Sequence, residues 1–271
     1  MPLQKSTKKT IKKIIKVSLV VIPVGIFFPY LLLIYLILGM IDVSRNKPLN
    51  IDTVKRYFIG NGILTWMLSP FNLSLDLISA KNKGIYQLED LPQAYQQEIR
   101  ALIQDVDLNK ELIKKEMAAR LDEIDRGMFF FKWYGDNLNT SFTLPCFHKQ
   151  YQYIKTIGVS VFNKQKATST HYGPLRITLR LLYNLSPSQE GDVYIQVAGT
   201  KHYWKNNPMF IFDDTMQHQS VNYSNELRYC MFVDLIRPSK CIGVLSIFLN
   251  WTKVITAKRN NVFYKKWVFL K

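Results

Sequence analysis

The chain has 271 residues, 48% of them hydrophobic, so it is long enough to bury the core of one sizeable domain and too apolar to be disordered. Its formal net charge of +16 is concentrated at the termini, because six lysines precede the first acidic residue and the segment 241–271 carries six basic residues and no acid. Basic residues beside apolar segments are typical of contact with anionic lipid headgroups, which favours a membrane and disfavours nucleic acid as the partner. Three cysteines without CxxC spacing argue against a disulfide framework or a structural zinc site and favour a reducing compartment.

The N-terminal part of the chain has the pattern of a membrane anchor. The basic segment 1–16 predicts a cytoplasmic N-terminus, and the uncharged stretch 17–41 is long enough to cross a hydrocarbon core of about 30 Å as a helix. A secretory signal peptide is the competing interpretation, and Pro23 and Pro29 also allow a re-entrant hairpin in place of a straight span. The stretch 57–78 is apolar but interrupted by polar residues, glycine and proline, which predicts a second membrane-associated segment.

The depth of these two segments decides the topology of the remaining chain. A single crossing would place it outside the cytoplasm, since the lysine-rich N-terminus stays inside. If the second segment returns through the bilayer, or the first only dips into it, the remaining chain faces the cytoplasm.

Beyond these segments the periodicity changes twice along the chain. Apolar residues at helical spacing predict helices across 89–124, with Gly127 as a stop after the second helix. From residue 154 the period becomes two, and turn residues separate the strands that this predicts: 157–162, 176–185, 193–197, 209–213 and 227–235.

Short strands without helices between them predict a mostly β domain, an antiparallel sandwich or jelly roll with flanking helices. We place this domain at 85–240, with its core at 154–238. The basic, aromatic-rich tail 241–271 predicts an amphipathic helix that either lies on the bilayer or packs on the domain.

Two of the four histidines, His171 and His218, lie at predicted turn–strand junctions. Taken alone they would read as ordinary hydrogen-bonded side chains, because no local ligand motif such as HExxH surrounds them. Their flanking segments give them more weight, in this order along the chain: Phe131-Lys-Trp-Tyr-Gly135; Ser160; His171-Tyr-Gly-Pro174 with Arg180 nine residues on; and Phe212-Asp-Asp-Thr-Met-Gln-His218 with Arg228 ten residues on.

Together these segments resemble the aspartyl/asparaginyl β-hydroxylase family of Fe(II)/2-oxoglutarate dioxygenases, whose catalytic core is similar to residues 158–238 throughout. Within that family they look most like the lipid A 2-hydroxylases. The resemblance implies a double-stranded β-helix, or jelly roll, in which His171 and His218 bind Fe(II), with 2-oxoglutarate and O₂ as cosubstrates. It assigns cosubstrate binding to Ser160, Arg180 and Arg228, and the planar arginine fork suits a carboxylate.

Two positions depart from the pattern of the family. Gly173 stands where the 2-His-1-carboxylate triad has its acid, so the resemblance implies two protein ligands with water in the vacant position. Asp213 or Asp214 is expected to orient His218 by a hydrogen bond, and the sequence leaves open which of them does so. Leu182 stands where peptide-hydroxylating members tend to have a histidine, which weakens the transfer of peptide specificity.

The resemblance and the membrane-anchor pattern together predict an enzyme that hydroxylates an acyl chain of a membrane lipid, with lipid A as the leading substrate. Ornithine lipids and Asp or Asn residues of peptides are the alternatives, and a non-catalytic membrane protein with a decayed iron site is a further one. Because Fe(II) and 2-oxoglutarate are cytosolic, the expected location is the cell inner membrane, with the catalytic domain facing the cytoplasm.

Overall fold

Residues 29–78 form helices that pack against the rest of the protein. The structure, a computed structural model, describes residues 18–19, 22–23, 25–120, 126–186, 190–257 and 268–269. The helices before the first strand are α1 (Pro29–Val43), α2 (Ile51–Phe58), α3 (Ile63–Met67) and α4 (Ser69–Ile78). Proline suits the first turn of α1 and α4, where its missing N–H has no helical partner, and the Asn50 side chain accepts the Thr53 N–H at 2.9 Å to cap α2.

Within the part of the chain that the structure describes, no helix combines the length and the apolar character needed to cross a bilayer. The predicted segment 17–41 falls partly outside the described residues, as the basic segment 1–16 does entirely. A spanning or re-entrant segment therefore stays a prediction.

The second predicted membrane segment, 57–78, forms no continuous helix, because it includes the end of α2 and all of α3 and α4. The polar residues that interrupt it have partners in the β domain. Thr65 donates its hydroxyl to the Gly173 carbonyl at 3.0 Å, and the Asn72 amide donates to the Pro174 carbonyl at 3.0 Å. These helices are thus tied by hydrogen bonds to the turn that carries His171.

The helices predicted across 89–124 are confirmed as α5 (Gln93–Leu108) and α6 (Lys110–Ala118). Tyr95, Ile99, Leu102 and Val106 form the buried face of α5, as their spacing predicts. The predicted stop at Gly127 is wrong, because α6 ends at Ala118 and Gly127 lies within a strand. Residues 121–125 are outside the described residues.

The β domain consists of two antiparallel sheets that face each other. Its strands, with one short helix, are β1 (Ile85–Tyr86), β2 (Arg126–Trp133), β3 (Asp136–Asn137), α7 (Pro145–His148), β4 (Ile154–Phe162), β5 (Lys166–Ala167), β6 (Thr178–Asn184), β7 (Asp192–Val197), β8 (Thr200–Tyr203), β9 (Met209–Phe212), β10 (His218–Tyr223) and β11 (Arg228–Ile236). Helix α8 (Ile242–Ala257) and β12 (Val268–Phe269) follow. The larger sheet has the order β1-β9-β6-β11-β4-β2-β12, with β3 paired to β2, and the smaller has β5-β10-β7-β8.

From β4 to β11 the chain passes back and forth between the sheets, with β4, β6, β9 and β11 in the larger and β5, β7, β8 and β10 in the smaller. This winding is that of a jelly roll, so the prediction of a mostly β fold with flanking helices is confirmed. The parallel pairing of β12 with β2 extends the larger sheet at one edge.

The larger sheet is buried on both faces. One face packs against α5, α6 and α8 through residues such as Ile157, Val159 and Val233, and the other faces the smaller sheet through Phe212, Cys230 and Phe232. All nine residues of β11 are accordingly buried. A cavity lies between the two sheets and is lined by residues of both.

Candidate active site

His171 and His218, 47 residues apart in sequence, are adjacent in the structure. An isolated antiparallel bridge joins them, with each backbone N–H donating to the carbonyl of the other at 2.9 Å. Their rings lie 4.1 Å apart between centroids. His218 begins β10, and His171 follows the polar turn after β5, so the pairing of the smaller sheet brings the two imidazoles together.

The two imidazoles are held in the same tautomer. The Nδ1 atom of His171 is 2.7 Å from the Ser169 carbonyl, and that of His218 is 2.9 Å from the Met216 carbonyl. A carbonyl only accepts, so each Nδ1 carries the proton and each Nε2 keeps its lone pair. Burial lowers the pKa of both histidines, and Arg180 lowers each further through its positive charge. Both rings are thus neutral near pH 7, as metal ligands must be.

Both histidines line a cavity of about 180 Å³ between the two sheets. The other predicted site residues, Ser160, Arg180 and Arg228, also line it. Among the described residues, no group of three or more histidine, cysteine or acidic side chains could hold a metal ion. The pair would therefore supply two nitrogens and leave coordination positions for a cosubstrate, O₂ and water.

Arg228 is buried in this cavity without a carboxylate partner among the described residues. Its side chain donates to the Ser220 hydroxyl at 2.6 Å and lies 4.1 Å from the centre of the Phe162 ring. The buried Nε has no hydrogen-bond partner, and burial lowers the pKa of the guanidinium. An arginine remains charged despite such a shift, so an unneutralised cation lies in the cavity wall.

Arg180 has acidic partners. Its guanidinium lies 2.8 Å from the Asp214 carboxylate and 3.1 Å from that of Asp234, and it lies over the Phe232 ring at 4.2 Å. Burial raises the pKa of Asp234 and raises that of Asp214 to about 7, while Arg180 opposes both shifts. Both arginines therefore line the cavity, but among the described residues Arg180 is paired with carboxylates and Arg228 is not.

Ser160 is buried on β4, and its hydroxyl donates to the Cys230 carbonyl at 3.1 Å. The pairing of β4 with β11 sets Ser160 directly opposite Cys230, two residues from Arg228. The serine and this arginine therefore lie on neighbouring strands of one wall of the cavity.

The space beside Gly173 is filled by the carboxylate of Asp214. A Cβ atom built on Gly173 would lie 2.5 Å from the Asp214 Cγ and Oδ2 atoms, and the Gly173 N–H donates to the Asp214 carbonyl at 2.7 Å. A carboxylate is thus present near the place where the triad has its acid, but it comes from the loop between β9 and β10.

Asp213 faces the opposite way from this cavity. It is fully buried and its carboxylate accepts from Arg45 and Asn82. The positive charge of Arg45, together with these hydrogen bonds, holds the pKa of Asp213 below the usual value despite burial. The prediction that Asp213 or Asp214 orients His218 by a hydrogen bond is wrong, because the His218 Nδ1 atom lies 2.9 Å from the Met216 carbonyl instead. Of the two aspartates, Asp214 is the one that lines the cavity.

Several residues that line the cavity were given no function by the sequence. Trp133, Tyr134, Leu249 and Thr252 contribute to the wall from outside the segment 154–238. The Phe131-Lys-Trp-Tyr-Gly135 segment gave a signal for the first two, but α8 gave none, because only the packing of the helix brings its side chains to the cavity.

Two facing sheets thus place a histidine pair, a serine and two arginines around one cavity. A model of the family described as Aspartyl/Asparaginyl beta-hydroxylase matches residues 93–238. That match covers more than half of the chain, so the protein belongs to the aspartyl/asparaginyl β-hydroxylase family, and the predicted family resemblance is confirmed.

Among curated proteins, the ornithine lipid ester-linked acyl 2-hydroxylase of Rhizobium tropici is 30% identical over 99 residues, which is 36% of this chain and 34% of the relative. The match therefore spans about a third of the length of that protein.

Among solved structures, a nickel-bound pirin from Escherichia coli matches with a TM-score of 0.28 and 18% identity, over 44% of this chain and 47% of that one. The collagen prolyl hydroxylase of Paramecium bursaria Chlorella virus-1, in a 2-oxoglutarate complex, has a TM-score of 0.27 and 15% identity, over 33% and 62% of the two chains. Neither likeness is high enough to bear on function.

Proposed function

We propose that the protein is an Fe(II)/2-oxoglutarate-dependent dioxygenase that hydroxylates an acyl chain of a membrane lipid. One observation carries the cosubstrate half of this proposal: Arg228 is a buried cation without a carboxylate partner among the described residues, in the cavity that also holds the histidine pair. A dicarboxylate that binds the metal at one end would supply the missing anion at its other end.

The residues present fit the iron and the cosubstrate. His171 and His218 would hold the metal through their Nε2 atoms, and Arg228 with Ser160 would bind the far carboxylate of 2-oxoglutarate. When bound, iron and 2-oxoglutarate supply the oxidation that converts a C–H bond to C–OH with O₂, releasing succinate and CO₂.

The chain itself positions the reacting groups and limits the access of water. Arg180 holds the Asp214 carboxylate beside Gly173, where that carboxylate would accept a hydrogen bond from a ligand next to the histidines. Leu182, Phe212 and Phe232 form an apolar wall that keeps the rest of the cavity dry.

A lipid substrate is supported by the acyl 2-hydroxylase named above and by the apolar surface of the helices. On α1, Leu33, Ile34 and Ile37 are each about half exposed, far more than a water-facing helix of a soluble domain requires. Two lipid classes are candidates: ornithine lipid, through that relative, and lipid A, through the sequence resemblance.

We further propose that the enzyme resides in the cell inner membrane with the catalytic domain facing the cytoplasm. The basic segment 1–16 and the stretch 17–41 would anchor it there, whether as a span or as a re-entrant segment. This orientation gives the site access to cytosolic Fe(II) and 2-oxoglutarate.

The test compares lipid extracts from cells that carry the intact gene, no gene, His218→Ala or His148→Ala. We expect hydroxylated lipid A or ornithine lipid to disappear in the deletion and in His218→Ala. His148 is the matched control, because its ring contacts the Thr143 hydroxyl and does not line the cavity. In parallel, the purified protein should bind iron and convert 2-oxoglutarate to succinate.

If neither lipid class loses a hydroxyl group on deletion, the lipid proposal is wrong, and peptides with Asp or Asn become the substrates to assay. If the purified wild-type protein does not bind iron, the dioxygenase proposal itself is wrong.

A further inference from the structure

Helix α8 has two apolar faces with different surroundings. Leu245 and Leu249 are buried against the β domain, and Leu249 and Thr252 line the active-site cavity. The opposite face has no covering element in the described chain, and its side chains are 42–65% exposed: Val244, Ile247, Trp251, Val254 and Ile255. One helix therefore separates the cavity from an apolar outer surface.

A hairpin turn lies across the cavity from α8. Tyr134 (φ 44°) and Gly135 (φ 95°) form the two-residue turn between the paired residues Trp133 and Asp136, and both Trp133 and Tyr134 line the cavity. Positive φ at both central positions is the geometry of a type I′ turn, which fits the twist of a hairpin.

Polar contacts join this turn to α8. The Trp133 indole N–H donates to the Thr256 hydroxyl at 3.4 Å, and Lys253 lies 3.0 Å from the Asp136 carboxylate. The hydrogen bond is long and the ion pair is partly exposed, so each of these two contacts is weak.

The cavity is too small for a whole lipid. Its volume of about 180 Å³ lies below the roughly 300–1,000 Å³ usual for pockets that enclose a drug-sized ligand. Arg228 and His218 are buried polar groups of its lining, whereas His171, Trp133, Tyr134, Leu175 and Thr252 are partly exposed and lie where it reaches the surface. A long substrate would have most of its length outside this opening.

The outer surface next to this opening is apolar. Phe71 of α4 packs edge-on against Phe248 of α8 at 4.8 Å, so the N-terminal helices and α8 are neighbours. Met67 is 58% exposed and Leu77 is 87% exposed on the N-terminal helices. In sequence, the segment 241–271 has no acidic residue and six basic ones. Exposed apolar side chains within a basic sequence match a bilayer with anionic headgroups.

We propose that the acyl chain enters the cavity directly from the bilayer, between α8 and the Tyr134–Gly135 turn. Trp133, Leu249 and Thr252 form the entrance and act as specificity-determining residues for the acyl chain. The outer face of α8 lies in the lipid surface beside the entrance. This inference rests on the proposed function and adds the route and the residues that select the substrate.

The first test places a bulky side chain on either side of α8 in the full-length protein. Thr252→Trp narrows the entrance, and Asn250→Trp adds the same side chain at an exposed position of the helix that does not line the cavity. In vesicles of phosphatidylethanolamine and phosphatidylglycerol with ornithine lipid or lipid A, we expect Thr252→Trp to lower hydroxylation at least tenfold. Asn250→Trp should remain within twofold of wild type. Circular dichroism spectra and melting temperatures close to those of the wild type should verify that both variants are folded.

The second test does not depend on activity. A phosphatidylglycerol with a diazirine on its acyl chain is photolysed in the same vesicles, and the labelled peptides are mapped by mass spectrometry. We expect label on residues 133–134 and 249–252 in the wild type and at least fivefold less in Thr252→Trp.

Leu249→Ala, which widens the entrance and blocks nothing, should spread hydroxylation over more acyl positions and keeps the proposal testable if Thr252→Trp fails to fold.

Label that is absent from both segments, or equal effects of the two tryptophan substitutions, would overturn the entrance while leaving lipid hydroxylation by the wild type intact. A wild type that hydroxylates no lipid, or that does not turn over 2-oxoglutarate at all, would instead overturn the proposed function and this inference with it.

Discussion

Arg228 carries a positive charge that the described protein contacts do not neutralise. Its hydrogen bond to Ser220 and its contact with the Phe162 ring orient the guanidinium, but the Nε atom has no partner. A buried cation in this state destabilises the free protein and gives affinity to whichever anion completes the site.

We expect Arg228→Gln to weaken 2-oxoglutarate binding by roughly 100-fold, because truncating one partner of a buried charge pair costs about 2–5 kcal/mol. Binding is measured by calorimetry on the Mn(II)-loaded protein. Arg228→Lys should lose at least tenfold, since lysine lacks the planar fork. In urea unfolding of the free protein, Arg228→Gln should be as stable as wild type or more stable, and a large loss would mean that the arginine is structural.

Gly173 and Asp214 share one small volume, so the missing acid of the triad cannot simply be restored. Any Cβ at position 173 would meet the Asp214 carboxylate at 2.5 Å. The glycine and the aspartate are therefore two parts of one arrangement.

We expect Gly173→Ala to lower the free energy of unfolding by about 1–3 kcal/mol, as overpacking does. The double variant with Asp214→Ala should recover at least about 1 kcal/mol relative to the sum of the single changes, because the clash is removed. Urea unfolding of the four proteins measures this coupling. Additive single effects would show that the two side chains do not compete for the space.

At the scale of elements, the turn at Gly135 orients the aromatic residues of the proposed entrance. Its φ of 95° is accessible to glycine at little cost. No atom lies within 4 Å of the position where a Cβ would lie, so a larger residue would not be excluded by a lack of space. The need for glycine here comes from the backbone conformation alone.

We expect Gly135→Ala to lower the melting temperature by about 2–4 °C, which corresponds to roughly 1 kcal/mol for a domain of this size. Gly243→Ala in α8 is the matched control, because a Cβ there also meets nothing and the helical φ is negative, so its melting temperature should be unchanged or higher. Calorimetry compares the two, and equal melting temperatures would contradict the backbone argument.

The predicted strands of the jelly roll core were found, but β2 and β10 were missed for opposite reasons. β2 reads Arg-Gly-Met-Phe-Phe-Phe-Lys-Trp and has no alternation, because the larger sheet is buried on both faces. β10 reads His-Gln-Ser-Val-Asn-Tyr and is mostly polar, because one of its faces lines the site. Period-two alternation is clearest in strands that have one face in solvent.

For the whole molecule, a buried network of three arginines and three aspartates joins the N-terminal helices to the jelly roll. Arg176 is at its centre and contacts Asp42 of α1, Asp76 of α4 at 2.6 Å and Asp213 at 3.3 Å. Arg45 and Arg237 complete the network through Asp213 and Asp76, each at 2.5 Å. Asp213 is five residues before His218, so the packing of the N-terminal helices is coupled to the segment that carries His218.

We expect Arg176→Met to lower the free energy of unfolding by about 3–5 kcal/mol, because it leaves the buried carboxylates of Asp42 and Asp213 and the partly buried one of Asp76 without their central cation. Arg100→Met is the control, because that arginine is 61% exposed and makes one 3.5 Å ion pair, with Glu89. Its loss should cost less than about 0.5 kcal/mol. Similar denaturation midpoints for the two variants would refute a structural role for the network.

The sequence by itself determined the family, the mostly β fold and which side chains to examine, because ligand types, motif order and strand periodicity are local properties of the chain. It could not decide whether Asp213 or Asp214 supports the histidine site, or whether Arg180 or Arg228 binds the far carboxylate of 2-oxoglutarate. The two members of each pair have the same chemistry and differ only in their partners. Asp213 pairs with Arg45 and Arg176, whereas Arg180 pairs with Asp214 and Asp234. These partners come from distant segments of the chain. Only the tertiary structure brought α8 to the cavity, because nothing in the spacing of a helix specifies which element its buried face will contact.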